Sequence, residues 1–273
     1  MWSLLALLTV GSAPVPPLQL NAVCFGIGGL IGLIWVASSG GFGVLRQVQL
    51  RVYVFGTLGL FGYHLLYFSA LRMAPAAEAG LIAYLWPLLI VLFSGLLPGE
   101  TLRLQHVLGG LIGFAGAALI VASGATGFSA AALPGYGLAL LCAITWAVYS
   151  VMSRRLGDVP TASVAVFCLA TALLSLVAHL IWETTVWPAS SIGWVSIFAL
   201  GAGPVGLAFF VWDIGVKKGD IQLLGVASYA APVLSTLALI LAGITKPTAM
   251  LGLAAILIAG GAALAASAAK RKD

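Results

Sequence analysis

The residues best suited to chemistry in this chain are tyrosines and prolines that occur twice in one motif. The motif Gly-x3-Tyr-x2-Pro lies in two apolar runs at a constant offset, at Gly80, Tyr84 and Pro87 and at Gly225, Tyr229 and Pro232. Tyrosine combines an apolar ring with a polar hydroxyl, which suits a pocket for a flat or amphipathic ligand. Proline removes a backbone donor, so the carbonyls of Ala83 and Ser228 are expected to lose their helical partners. We predict that both copies line a cavity, and the alternative is a kink that serves packing only.

Other aromatic residues lie in the same apolar runs. Tyr63 and Tyr67 are one helical turn apart, and Trp146 and Tyr149 share a helix face. Trp86 is close to Tyr84 but projects to nearly the opposite face, so at most one of the two is expected to point into a given cavity. Aromatic residues in the middle of a span fit poorly with an interfacial belt, which favours a binding pocket.

Ionisable residues are rare inside the apolar runs, and they limit the possible mechanisms. His64 lies well within a run, where it is either functional or a neutral, hydrogen-bonded histidine. Glu78 follows Pro75 in the first turn of a helix, where the helix dipole alone could explain it. No hydrolase motif, metal motif or nucleotide-binding loop is present, so we predict no catalytic residue, no metal and no cofactor. Gly201-x-Gly203-x2-Gly206 matches a dinucleotide fingerprint only formally, and we predict a small-residue break in a membrane helix instead.

The elements that must position these side chains are membrane helices. The chain has 273 residues, of which 62% are hydrophobic and 7% charged, whereas soluble domains carry roughly a quarter charged residues. Apolar runs long enough to cross a bilayer fill most of the sequence, and without alternating polarity they predict helices rather than barrel strands. The predicted spans are 1–12, 17–37, 49–71, 75–96, 104–123, 133–152, 160–181, 191–214, 221–242 and 248–268. The first is too short to span alone, and we expect the natural chain to begin before Met1.

The positive charges predict the orientation of these helices. With the N-terminus inside, most of the 12 lysines and arginines fall in inner segments. These inner residues are Arg46, Arg51, Arg103, Arg154, Arg155, Lys217, Lys218, Lys270, Arg271 and Lys272. Only Arg72 and Lys246 would lie outside, so both termini are predicted to be cytoplasmic. This rule accounts for the net charge of +5, and we predict no nucleic-acid partner.

The repeated motif also predicts the architecture. Repeat one (1–123) and repeat two (133–268) each contain five spans, and an odd number forces the second repeat to enter the membrane from the opposite side. We predict an all-α membrane protein, residues 1–273 in a single domain, with ten transmembrane helices arranged as two inverted five-helix repeats. Transporters built in this way hold their substrate near the bilayer midplane between the repeats. Gly28-x3-Gly32 and Gly109-x3-Gly113 are predicted to allow close helix packing.

Three segments carry a resemblance to a known family: residues 77–87, residues 144–147 and residues 229–233. With the ten predicted helices, they resemble the drug/metabolite transporter superfamily in its duplicated EamA form. Tyr-Leu-Trp-Pro at 84–87 and the segment 211–215 are most similar to the YddG-type aromatic amino acid exporters. The resemblance implies export of aromatic, and of other neutral, amino acids across the bacterial inner membrane, by a protein that is not an enzyme. It also implies a central cavity with Trp2, Tyr84, Trp86, Pro87, Trp146, Tyr229 and Pro232.

The sequence therefore yields one candidate site and leaves several questions open. The candidate substrate-binding residues are Trp2, Tyr63, His64, Tyr67, Glu78, Tyr84, Trp86, Pro87, Trp146, Tyr149, Trp212, Tyr229 and Pro232. The expected partners are a small-molecule substrate and the lipid bilayer, and we expect a monomer. The alternatives are export of another metabolite, nucleoside or drug by the same fold and, less favoured by the residue inventory, an intramembrane enzyme. Proton exchange through His64 or Glu78 and facilitated diffusion both remain open.

Overall fold

The computed structural model describes residues 1–122, 125 and 127–269, and the regular elements in these residues are helices. In chain order they are α1 (Leu5–Gly11), α2 (Pro17–Ser39), α3 (Gly43–Arg46), α4 (Leu50–Met73), α5 (Ala76–Ala83), α6 (Trp86–Ser94), α7 (Leu104–Val121), α8 (Leu133–Arg155), α9 (Ser163–Trp182), α10 (Ser191–Ala202), α11 (Ala208–Lys218), α12 (Ile221–Ala227), α13 (Ala230–Leu241) and α14 (Ala249–Ala269). The predicted all-α fold is confirmed. The charged tail residues Lys270, Arg271 and Lys272, and position 123 at the end of repeat one, lie outside the described residues.

The lengths of these helices match a bilayer. Among the described residues, nine helical segments are long and apolar enough to cross a membrane. The helix pairs α5–α6 and α12–α13 each count as one such segment, as does the stretch from α10 to α11. The remaining predicted span corresponds to the shorter apolar helix Trp2–Gly11, which agrees with its expected shortness.

The chain forms two compact units that differ from the predicted repeats. Unit 1 comprises Met1–Leu65 and Leu156–Ile214, and unit 2 comprises Leu66–Arg155 and the described residues from Gly215 onward. Each unit therefore takes helices from both repeats. Two of the three boundaries fall inside α4 and α11, and the third falls at the end of α8. The single-domain organisation and the inversion of the repeats stay predictions.

Small residues set the packing of unit 1. A Cβ atom added to Gly28 would lie 2.5 Å from the Cα of Gly206, and one added to Gly29 would lie 2.6 Å from the side chain of Leu169. A side chain at either position would collide with these atoms. Glycine at both positions therefore lets α2 approach α9 and the α10–α11 segment closely. The predicted packing role of Gly28 is confirmed.

The same device joins α7 to α14 in unit 2. An added Cβ on Gly109 would lie 2.5 Å from the carbonyl oxygen of Gly261, and one on Gly116 would lie 2.9 Å from that of Ala254. A Cβ on Gly113 would lie 2.7 Å from the ring of Tyr229. The predicted packing role of Gly109 and Gly113 is therefore confirmed, and Gly113 makes room for one of the motif tyrosines.

Three of the long helical segments are interrupted. α10 ends at Ala202, a π-helical turn covers Gly203–Leu207, and α11 begins at Ala208. This is the small-residue break predicted from the glycine spacing. Its location in a helical run does not match the strand–turn–helix context of a dinucleotide-binding fingerprint. The other two interruptions separate α5 from α6 and α12 from α13, and each coincides with one copy of the Gly-x3-Tyr-x2-Pro motif.

One end of unit 2 is held by a single arginine. The Arg154 guanidinium at the end of α8 donates hydrogen bonds to the carbonyl oxygens of Val216 and Gly219, at 2.9 and 2.7 Å. It also pairs with the Glu100 carboxylate, which accepts a further hydrogen bond from Gln222. Arg154 therefore satisfies backbone carbonyls where α11 ends, as cations near helix C-termini do.

Candidate functional site

Five aromatic side chains and one imidazole in unit 1 form a continuous group, here called the unit 1 aromatic cluster. Its members are Trp2, Phe25, Tyr63, His64, Phe209 and Trp212. The ring centroids of Trp2 and Trp212 are 5.0 Å apart, and those of Phe25 and Phe209 are 5.2 Å apart and stacked. His64 meets Phe25 edge-on at 5.0 Å. The cluster draws on the 3-10 turn before α1 and on α2, α4 and α11, so distant parts of the chain together position these rings.

Trp2 is fixed by a hydrogen bond to the interrupted helix. Its indole N–H donates to the carbonyl oxygen of Pro204 at 2.9 Å. Pro204 lies in the π-helical turn, where backbone carbonyls need partners outside the regular helical ladder. The contact orients the indole ring and supplies a donor to that turn, so Trp2 has a structural role as well as an exposed face.

His64 lies at the opposite end of the unit 1 aromatic cluster. Its Nδ1 is 2.7 Å from the carbonyl oxygen of Leu60. A carbonyl can only accept, so Nδ1 carries the hydrogen and Nε2 is the nitrogen at which a proton could be gained. The imidazole also meets Tyr63 edge-on at 5.1 Å. Its use as a proton carrier or substrate ligand stays a prediction.

Unit 2 contains a second group, here called the unit 2 indole cluster, made of Trp86, Trp146 and Tyr149. Trp86 meets Trp146 edge-on at 6.3 Å, and Trp146 stacks on Tyr149 at 5.2 Å. All three side chains are buried. The predicted shared face of Trp146 and Tyr149 is therefore present, and Trp86 faces these residues from α6.

The first copy of the repeated motif places its tyrosine at a helix break. α5 ends at Ala83, Tyr84 caps it and α6 begins at Trp86, with Pro87 in the first turn of α6. Tyr84 is half-buried. The break allows Tyr84 and Trp86 to lie in different surroundings, because Trp86 is buried against Trp146.

The second copy differs in a way that the sequence did not predict. α12 ends at Ala227 and α13 begins at Ala230, with Tyr229 at the break and fully buried. The Tyr229 hydroxyl accepts a hydrogen bond of 3.1 Å from the backbone N–H of Leu88, the residue after Pro87. The two copies therefore touch within unit 2, and the second supplies an acceptor for the first turn of α6.

The expectation for the Ser228 carbonyl is wrong. It accepts a hydrogen bond of 3.0 Å from the N–H of Ala231. The chain tightens into an i→i+3 turn at this break, which provides a donor one residue before Pro232. The freed-carbonyl argument therefore does not hold for the second copy.

Glu78 is a buried carboxylate at one end of unit 2. Its side chain is 1% exposed, and its Oε1 accepts a 3.0 Å hydrogen bond from the backbone N–H of Gly127. Gly127 has a φ of 103°, a conformation that glycine adopts at little cost. This contact gives Glu78 a structural role in tying α5 to the segment before α8, and its part in substrate binding stays a prediction.

Burial divides the candidate residues into two classes. The half-buried residues, which have surface available to a ligand, are Trp2, Tyr63, His64, Tyr67 and Tyr84. The buried residues, which can act only through their neighbours in this conformation, are Glu78, Trp86, Pro87, Trp146, Tyr149, Trp212, Tyr229 and Pro232. Within the part of the chain that is described, no group of three or more histidine, cysteine or acidic residues is arranged to hold a metal ion.

Two further sets of residues were not predicted from the sequence. Phe25 and Phe209 connect the two ends of the unit 1 aromatic cluster, but a phenylalanine in an apolar run carries no distinctive signal. His179 and Glu183 form a buried pair at 3.0 Å. Their spacing of four residues is the signal that could have identified this pair, since such residues are neighbours on a helix.

The chain was compared with known proteins. The EamA-like transporter family profile matches residues 1–122 and 133–267. The chain is 55% identical to the aromatic amino acid exporter YddG of Ancylobacter novellus, an alignment that covers 99% of this chain and 95% of the relative. It is 27% identical to YddG of Salmonella typhimurium, over 86% of this chain and 83% of that protein.

A solved crystal structure 55% identical in sequence superposes with a TM-score of 0.93, covering 99% of this chain and 95% of that one. The predicted resemblance is confirmed, as is the prediction of a transporter rather than an enzyme. The apolar helices and these relatives together identify a multi-pass membrane protein. The chain belongs to the EamA-like transporter family.

Proposed function

We propose that this protein exports aromatic amino acids across the bacterial inner membrane. The observation that carries the proposal is the 55% identity, over nearly the full length, to a relative named as an aromatic amino acid exporter. The half-buried aromatic side chains support it, because aromatic rings bind flat apolar groups by offset stacking or edge-to-face contact. No sequence motif for ATP hydrolysis was found, so the driving force is a solute or ion gradient.

Burial assigns different roles to the candidate residues. Tyr67 and Tyr84, which are both half-buried in unit 2, contact the substrate ring or its polar ends. The unit 2 indole cluster and Tyr229 have a supporting role in the structure of unit 2, because they are buried and already engaged with protein atoms. Aromatic contacts of this kind each contribute about 0.5–1.5 kcal/mol, so affinity is modest and the substrate is released readily.

The proposed cycle is alternating access, in which the bound amino acid is exposed to one side of the membrane at a time. Both termini face the cytoplasm, in line with the bias of the positive charges, and the protein works as a monomer with inverted repeats. The substrate can leave down its own outward gradient, and proton exchange is a separate question that the transport assay addresses.

Transport by the purified protein in liposomes tests this function. Uptake of labelled phenylalanine or tryptophan is expected to be accelerated by unlabelled aromatic amino acid on the opposite side, as a carrier requires. Tyr67→Ala and Tyr84→Ala are expected to lower uptake at subsaturating substrate by roughly tenfold each, the effect of losing about 1.4 kcal/mol.

The matched control is Trp182→Ala, because Trp182 is 58% exposed at the end of α9 and lies outside the candidate site. Its uptake is expected to equal that of the wild type. Equal uptake by the tyrosine variants and the control would refute the site. Absence of counterflow with any aromatic amino acid would refute the function.

A further inference from the structure

A polar group that is buried except for one threonine lies outside the candidate site, where α9 ends and α2 begins. This group, here called the α2–α9 polar cluster, consists of Gln19, His179, Glu183 and Thr185, all in unit 1. The Glu183 carboxylate accepts hydrogen bonds of 3.1 Å from the backbone N–H groups of Leu18 and Gln19 at the start of α2. His179 bridges the rest: its Nδ1 is 3.0 Å from Glu183 Oε2 and its Nε2 is 2.8 Å from Thr185 Oγ1.

Burial makes this pair unusual for so apolar a chain. The side chains of His179 and Glu183 are 2% and 4% exposed. A charged carboxylate away from water is tolerated when it is hydrogen-bonded, and the first turn of α2 provides both donors and a favourable helix dipole. Glu183 is therefore best kept as the anion, and the group that can change charge is His179.

Among the ionisable groups on the elements around α9, Glu183 is the one that contacts His179. α2 carries only Cys24 and α10 carries none. The part of α4 in unit 1 carries Arg51, Tyr53, Tyr63 and His64, and Tyr53 meets α9 at Phe167. Phe167 precedes His179 by twelve residues, which is about 18 Å along a helix.

The hydrogen bonds allow His179 to take up a proton without losing a partner. In the neutral state Nδ1–H donates to Glu183 and Nε2 accepts from the Thr185 hydroxyl. When a proton binds to Nε2, the Thr185 hydroxyl rotates and Nε2–H donates to its oxygen. The Nδ1–H bond to Glu183 remains and becomes charge-assisted.

Thr185 also connects the buried imidazole to solvent. It is an exposed residue, and its hydroxyl contacts His179 Nε2 directly. A water molecule at Thr185 can thus deliver a proton to Nε2 through that hydroxyl. The positive-inside prediction assigns this segment to the outer face of the membrane.

We propose that His179 is a proton-binding site that exchanges with the solution at Thr185, with Glu183 as its fixed counter-charge. Its occupancy sets the dependence of transport on the pH of that solution. The proton site follows from the α2–α9 polar cluster alone, whereas its effect on transport rests on the proposed function. Histidine is suited to this role because it changes charge near neutral pH.

Nuclear magnetic resonance of protein labelled with ¹⁵N-histidine tests the site directly, because the chain contains only three histidines. Single variants His64→Gln and His106→Gln assign the remaining signals to His179 by elimination, so the assay does not require a folded His179 variant. We expect His179 to carry its neutral hydrogen on Nδ1 and to become an imidazolium when the sample is acidified. Thr185→Val is expected to move the Nε2 signal, and the exposed neighbour Thr184→Val is the control that leaves it unchanged. A His179 that stays neutral throughout would overturn the proposal.

Liposome transport then tests the consequence. The pH on each side is varied separately, and the dependence on the Thr185 side is expected to be lost in His179→Gln and retained in His106→Gln, because His106 lies outside the candidate site. A wild-type pH profile in His179→Gln would overturn the role in transport. If the wild type moves no aromatic amino acid, the proposed function fails, and the magnetic resonance titration alone decides the proton site.

Discussion

The two copies of Gly-x3-Tyr-x2-Pro share a sequence but occupy different environments. Tyr84 in the first copy is half-buried at the end of α5. Tyr229 in the second copy is fully buried, and its hydroxyl holds the N–H of Leu88 in the first turn of α6. Duplication therefore supplies one tyrosine with surface available to a ligand and one that supports the helix next to it.

The glycine of the second copy is also more tightly packed than the glycine of the first copy. Among the described residues, a Cβ added to Gly80 would meet only the Val121 side chain, at 3.3 Å. One added to Gly225 would lie 3.0 Å from the carbonyl oxygen of Pro87, a backbone atom that cannot turn aside. The second copy is therefore packed against the first, and the substitutions below test this division of roles.

The largest difference is expected when each tyrosine is removed. Tyr229→Ala leaves a cavity in the core of unit 2 and is expected to destabilise the protein by about 3–5 kcal/mol. Tyr84→Ala is expected to cost less stability but to reduce transport more per folded molecule. Unfolding in mixed detergent micelles and liposome uptake measure the two effects, and equal loss of stability in both variants would contradict the comparison.

Removing only the hydroxyl groups isolates the hydrogen bond. Tyr229→Phe leaves the half-buried Leu88 N–H without its acceptor and is expected to cost about 1 kcal/mol of unfolding free energy. Tyr84→Phe serves as the matched variant and is expected to leave stability within about 0.5 kcal/mol of the wild type. The comparison fails if Tyr229→Phe is as stable as Tyr84→Phe in the same micelles.

The glycine pair is expected to give a smaller difference. Gly225→Ala forces the α12 backbone away from Pro87 and is expected to cost about 1 kcal/mol, the lower end of the range for overpacking. Gly80→Ala requires only a small movement of the Val121 side chain and adds helix propensity, so it is expected to be neutral or slightly stabilising. Thermal denaturation of both variants in one detergent measures the order, and a less stable Gly80→Ala would reverse the assignment.

The smallest effect is expected at the residue before each tyrosine. Ser228 stands where the first copy has Ala83, and its hydroxyl donates to the carbonyl of Leu224 at 2.7 Å. That carbonyl also accepts from the Ser228 N–H, so Ser228→Ala leaves it satisfied. The change in stability is expected to remain within about 0.5 kcal/mol, and a larger loss would indicate that the hydroxyl helps to hold the α12–α13 break.

The helical fold was predictable because the bilayer imposes the same composition and the same length of apolar run on most membrane helices. The break at Gly203–Leu207 and the close approach at Gly28 were predictable as well. Clustered small residues in an apolar helix typically mark a break or a close contact between helix backbones. The division into units was not predictable, because it depends on which helices pack together over long sequence distances.

The candidate site was only partly predictable for a related reason. A half-buried tyrosine and a buried tyrosine that accepts a hydrogen bond from a neighbouring helix have the same sequence context, as Tyr84 and Tyr229 demonstrate. The sequence also indicated that Pro232 disturbs its helix, but not the i→i+3 turn that supplies the Ser228 carbonyl with a donor. Burial and hydrogen-bond partners, which the sequence does not contain, separate these cases.

The number of residues in the π-helical turn at Gly203–Leu207 determines the direction in which the side chains of α11 point. Each residue of an α-helix advances the side-chain direction by about 100°, and a π-turn accommodates one residue more than an α-turn. Phe209 and Trp212 therefore point about 100° away from the directions that an uninterrupted helix would give them. Deleting one residue from the turn would rotate both rings out of register with Phe25 and Trp2, although no aromatic side chain would have changed.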